Sequence, residues 1–175
     1  MQYSVVTSRL GTIGPSIVVR SRILEPMEHD RQAAVTLRDV RTSDLEVFFE
    51  HQADPEANRM AAFAARDREA HLSHWAKILA NETMISKTIE VDDEVAGNVG
   101  SWIDDGRREI GYWIGKEHWG RGIATSALSL FVKSLEERPL YAYVVTHNIG
   151  SVRVLEKCGF IPEGRDGDHI VYMLE

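Results

Sequence analysis

Gly120, Gly122, Asn148, Ser151 and Glu109 have the types and spacing that could do chemistry in this 175-residue chain. The run Trp119-Gly-Arg-Gly-Ile-Ala-Thr125 places two glycines just ahead of a helical period, so it reads as a loop opening into a helix. Such a loop suits an anion. The first backbone N–H groups of the helix are unpaired, they point one way, and the helix dipole reinforces them. Gly120 and Gly122 let a phosphate approach the backbone with no Cβ in between. Two familiar phosphate loops are excluded. A Walker loop needs G-x-x-x-x-G-K-(S/T), and no such run is present. A dinucleotide fingerprint needs G-x-G-x-x-G directly after a strand, but Thr125 holds the third place and no acidic residue ends the next strand, 141–146. A glycine-bearing turn with no ligand stays open as the alternative.

The elements around this loop follow from periodicity. Glu109-Ile-Gly-Tyr-Trp-Ile114 has the aromatic and β-branched content of a strand, and residues 115–121 cannot continue it. The helix after the loop is expected to bury Ile123, Ala127, Leu130 and Phe131. Upstream, a strand from Val35 precedes a helix capped by Thr42 or Ser43 and ended by Asp54-Pro55. A second helix from Arg68 carries Leu72, Trp75, Ala76 and Leu79. Between the two, residues 58–65 are rich in Met, Phe and Ala for a connector and should pack on the core or line a pocket. Two turn signals, Asp92-Asp-Glu94 and Asp104-Asp-Gly-Arg107, join three successive strands. After Pro139 come a strand, a helix starting at Asn148 and ending at Gly159, and two last strands. The expected fold is α/β, in the order β-α-α-β-β-β-α-β-α-β-β, with a mostly antiparallel central sheet and one βαβ crossover. Residues 1–34 read as an N-terminal extension of unknown role ahead of a domain at 35–175.

Composition bounds the function. A net charge of −7 with no basic cluster argues against nucleic acid as a partner. No apolar run is long enough to span a membrane, and no signal-peptide core is found at the start. The single Cys158 excludes an intramolecular disulfide and suits a reducing, cytoplasmic setting. His51, His71 and His74 fall on expected helices with no third ligand at a credible spacing, so no metal is expected.

Three motifs in order carry a resemblance. Gly111-Tyr-Trp-Ile114, Trp119-Gly-Arg-Gly-Ile-Ala-Thr125, and Asn148-Ile-Gly-Ser151 followed by Leu155-Glu-Lys-Cys-Gly-Phe160 resemble the GNAT family of N-acetyltransferases, and within it the RimJ/RimL-like branch. The family loop reads (Q/R)-x-x-G-x-(G/A); here Gly122 and Ala124 fill the small positions and Trp119 replaces the Gln or Arg. The resemblance implies an acyl-CoA-dependent N-acetyltransferase, with acetyl-CoA as cosubstrate and a primary amine, a protein N-terminus or a small molecule, as acceptor. It implies that Trp119, Gly120, Arg121, Gly122, Ile123, Ala124 and Thr125 hold the pyrophosphate. It also implies that the pantetheine arm pairs with Tyr112, Trp113 and Ile114 in a gap where the central strand splays from the next.

Asn148 and Ser151 have two readings. As plain helix capping they need no ligand. By resemblance Asn148 bonds the pantetheine arm and Ser151 assists the leaving thiolate, because Leu155 stands where many relatives carry a Tyr. Glu109 is the first candidate for general base, acting through water, against the alternative of a solvated strand-end charge. His118, His169 and Glu163 are further candidates, with His118 read as a surface or phosphate neighbour. Cys158 reads as a packed thiol. Rival readings are a non-catalytic acetyl-CoA sensor and an acyltransferase using a longer acyl-CoA. The chain is expected to be a monomer or homodimer.

Overall fold

The computed structural model describes residues 34–175. The N-terminal extension lies outside the described residues except for Ala34. Strands β1 (Val35–Asp39), β2 (Ile85–Val91), β3 (Glu94–Asp104) and β4 (Arg107–Ile114) form an antiparallel meander, preceded at its first connection by three helices. These are α1 (Asp44–Ala53), α2 (Pro55–Ala61) and α3 (Arg68–Ala80). A short 3-10 turn, Lys116–His118, leads to α4 (Ile123–Ser134) and then β5 (Leu140–Val145). Helix α5 (Ile149–Lys157), β6 (Ile161–Asp166) and β7 (His169–Leu174) complete the chain. The seven strands lie in the order β1-β2-β3-β4-β5-β7-β6. Among the described strands only β4 and β5 run parallel, so the expected crossover through α4 is present.

The expected order lacked one helix. Asp54 ends α1, but its carboxylate also accepts the N–H groups of Glu56 and Ala57, both at 2.8 Å, and Pro55 sits at the first helical position of α2. Asp as N-cap followed by Pro is a helix-start signal as well as a stop. The Met- and Ala-rich connector is therefore partly helical, closed by Ala62 in the left-handed conformation.

Strand alternation splits the sheet into two faces. On one face Ile110 and Ile114 of β4, Val99 of β3 and Ala142 and Val144 of β5 pack with Ile123, Leu128 and Phe131 of α4 and Leu155 of α5. On the other, α1 and α3 bury Leu45, Phe48 and Trp75. The start of α1 is fixed by charge. Asp44, 3% exposed, accepts from Arg38 at 2.5 and 3.0 Å, from Thr88 Oγ1 at 2.7 Å and from the Arg41 amide at 2.8 Å. Among the described residues no helix is long and apolar enough to cross a membrane.

Candidate functional site

The parallel pair at the sheet centre comes apart early. Strands β4 and β5 are in register only at Arg108↔Leu140 and Glu109↔Tyr141, so Tyr112, Trp113 and Ile114 have no partner strand on the β5 side. The splay expected from the resemblance is thus a feature of this sheet. It opens into a cleft of about 560 Å³. Tyr112, Trp113 and Ile114 form its floor, and Trp119, Gly120, Gly122, Ile123, Ala124 and Thr125 form the side facing α4. Asn148 and Ser151 of α5 stand opposite, and Ala57, Met60 and Ala61 of α2 close it from above, so the connector does line a pocket. Arg121, exposed, is not part of the lining.

The loop holds its shape through backbone geometry. Gly120 and Gly122 have φ of 74° and 76°, in the region that side chains disfavour, and a Cβ at either would meet nothing within 4 Å. Gly122 is the N-cap of α4 and supplies no side-chain cap. In contrast, α2, α3 and α5 are capped by Asp54, Asp67 and Asn148. The first amides of α4 face the cleft without a side-chain oxygen of their own. The Trp119 indole N–H donates to the Ile114 carbonyl at 2.9 Å, tying the loop to the end of β4.

On α5 the capping geometry is real: Asn148 Oδ1 accepts from the Ser151 amide at 3.1 Å. The Ser151 side chain still reaches the cleft. Facing it is Tyr112, whose buried hydroxyl makes no hydrogen bond of ordinary geometry among the described residues. Burial pushes the Tyr112 phenol up to about 12, with the Ser151 hydroxyl opposing that rise. Sequence reasoning placed Tyr112 in the cleft for its backbone alone; that its buried phenol shares the cleft with Ser151 depends on the packing of α5.

Glu109 does not line the cleft; it is half-buried on β4 beside Trp102 of β3, at the last paired position with β5. Burial, with the charge of Asp104 behind it, raises its carboxyl above the usual value. His118 is buried rather than a surface residue, and it lines the cleft beside Trp119 and Gly120. It is 6% exposed and packs against His51, their rings meeting edge-on at 6.3 Å. His169 opens β7 beside Val145, and Glu163 is exposed on β6. Cys158 packs between α5 and α4, its sulfur 3.4 Å from Ser129 Oγ.

The profile of the acetyltransferase (GNAT) domain matches residues 34–161. The protein p20 of Bacillus licheniformis, named as an uncharacterised N-acetyltransferase, is 29% identical over 143 residues, covering 74% of this chain and 80% of that protein. YdaF of Bacillus subtilis (strain 168), named as a candidate ribosomal N-acetyltransferase, is 29% identical over 158 residues, or 85% of this chain and 82% of that protein. The spermidine N-acetyltransferase of Vibrio cholerae, solved with CoA and spermine, has the same fold at a TM-score of 0.67 and 19% identity, covering 79% of this chain and 92% of that one. The match spans the splayed strands, the glycine loop and the capped helix described above, and the chain belongs to the GNAT acetyltransferase family.

Proposed function

We propose that this protein moves an acetyl group from acetyl-CoA to a primary amine by direct attack in a ternary complex. The observation that carries the reading is the cleft running from the β4/β5 splay to the uncapped, glycine-led start of α4. The pyrophosphate would rest on the N–H groups of residues 120–125, where the helix dipole favours negative charge. The pantetheine amides would pair with the free edge of β4 at Tyr112–Ile114, as an added strand does. Asn148, whose Oδ1 is taken by the cap, keeps its amide N–H groups for that arm. The CoA-bound structure of the Vibrio cholerae enzyme supports a donor of this class.

The chemistry divides between the two sides of β4. As the amine attacks, the thioester oxygen gains charge that a β4 backbone N–H can stabilise. The thiolate leaves toward Ser151, whose hydroxyl donates to the sulfur. The attacking ammonium must lose a proton, and Glu109 takes it through water. The raised pKa of Glu109 brings it closer to neutral pH, where a base is most effective.

Calorimetric titration of the tag-free protein with acetyl-CoA, followed by thiol release over a panel of polyamines, aminoglycosides and N-terminal peptides, tests the reading. Saturable binding with release for one acceptor class is the expected result. Binding without release on any amine would point to a sensor. No binding would remove the assignment of the cleft.

A further inference from the structure

Behind the loop, α1 and the 3-10 turn bring together three ligand-type side chains that the reaction above does not use as ligands. His51, from the last turn of α1, and His118 are 7% and 6% exposed. His51 Nε2 lies 2.9 Å from Glu117 Oε1, and His118 Nε2 lies 3.7 Å from the same oxygen. One ligand atom from each residue falls within 4.8 Å of the other two. A zinc ion with ligands at about 2.0–2.1 Å in a tetrahedron has ligand atoms roughly 3.3 Å apart, so these separations bracket what it needs. Gly115 makes the approach possible, since a Cβ there would stand 2.5 Å from His51 Nε2 and 2.7 Å from Glu117 Oε1.

His51 Nδ1 is buried without a partner among the described residues, so the ring's polar contact is made through Nε2 alone. The three residues open onto a hollow of about 520 Å³ that also presents Glu50, Asp54 and Glu94. Lys116, the cation of that hollow, is drawn toward Asp54 and Glu56.

We propose that His51, Glu117 and His118 bind one zinc-class divalent ion, with water from the acidic hollow in the fourth position. Two imidazoles and a carboxylate select a borderline first-row metal over calcium or magnesium, which prefer all-oxygen sets. The ion ties α1 to the turn that leads into the phosphate loop. Metal at His118 Nε2 puts the ring proton on Nδ1, so Arg121, 3.4 Å from Nδ1, turns outward on its exposed side chain.

The test uses tag-free full chain stripped with a chelator and titrated calorimetrically with ZnCl2. One saturable ion per chain is expected, together with a zinc-dependent rise in Tm, since an ion bound only by the folded state stabilises it. Glu117→Gln, at an exposed side chain, and His51→Gln should each abolish the uptake, while His74→Gln should keep it. Cobalt(II) loaded into the unmutated protein should give the visible absorption of a four-coordinate site, a readout independent of any variant's folding. Absence of saturable uptake by the folded wild type, or uptake unchanged in Glu117→Gln, overturns the site.

Discussion

Two carboxylates on neighbouring elements face opposite electrostatic fates. Asp44 is surrounded by donors; although burial works to raise its pKa, Arg38, the Arg41 amide and Thr88 bring it to about 2. Its folded pKa lies below the ordinary 3.8, so the stability it contributes is present above pH ~4 and lost as pH falls through ~2. That contribution is roughly 2 kcal/mol. Asp44→Asn leaves Arg38 with Glu90 alone and should cost about 3 kcal/mol at pH 7, while flattening the acid arm of the stability curve. Urea midpoints from pH 2 to 7 check both, and an unchanged acid arm would remove Asp44 as its cause. At Glu109 burial and the charge of Asp104 outweigh the Trp102 indole and the Arg107 charge, and its pKa goes up. If it is the base, kcat/KM should fall on the acid side at a pH above the ordinary carboxyl value of 4.5, where the carboxylate is lost. Glu109→Gln should lower kcat/KM by ~10²-fold or more and abolish that limb. A retained limb would assign it to another group. For Ser151→Ala, turnover should drop ~10²-fold with donor affinity nearly kept. Parallel losses in turnover, affinity and Tm would instead mark Ser151 as part of the cap.

At the scale of elements, helix α4 combines its anion-ready start with a buried side that periodicity placed slightly wrong. The expected stripe included Leu130, yet Leu130 is 44% exposed, while Leu128 and Val132 are buried with Ile123, Ala127 and Phe131. At 100° per residue Leu130 lies roughly 110° from the middle of the buried arc, so it falls off the sheet. Similarly Leu79 of α3 is exposed, while His71, whose Nε2–H donates to the Leu45 carbonyl at 3.0 Å, is buried. The N-terminus of α4 offers a clean experiment. Gly122 has a positive φ with open space around it, and Asp tolerates that conformation better than most residues and can cap a helix. Gly122→Asp should therefore keep Tm within a few degrees while abolishing acetyl-CoA binding by calorimetry. Unchanged binding would separate the loop from the donor.

Across the whole molecule, the cleft depends on how strands meet. Gly97 of β3 faces Ile114, and a Cβ at Gly97 would stand 2.0 Å from the Trp113 carbonyl oxygen. Gly97→Ala must push β4 aside at the position where the cleft floor begins, costing about 2–3 kcal/mol. A urea midpoint matching wild type would mean that the two strands yield more freely than their pairing suggests. The succession of strands along the chain, the glycine loop and the Asn148 cap were legible in the sequence because each is local: alternation, turn residues and caps act within a few positions. Helix α2 was equally local and its signal was present in Asp54-Pro55-Glu56, but read only as a stop. What the sequence could not disclose is which side chains meet across the fold. Tyr112 and Ser151 share one cleft only because α5 packs on the α4 side of a splayed sheet. His51 and Glu117 are 66 positions apart, and they meet because α1 lies on the opposite side of that sheet. Burial, pKa and mutual distance are properties of that packing, which no spacing along the chain encodes.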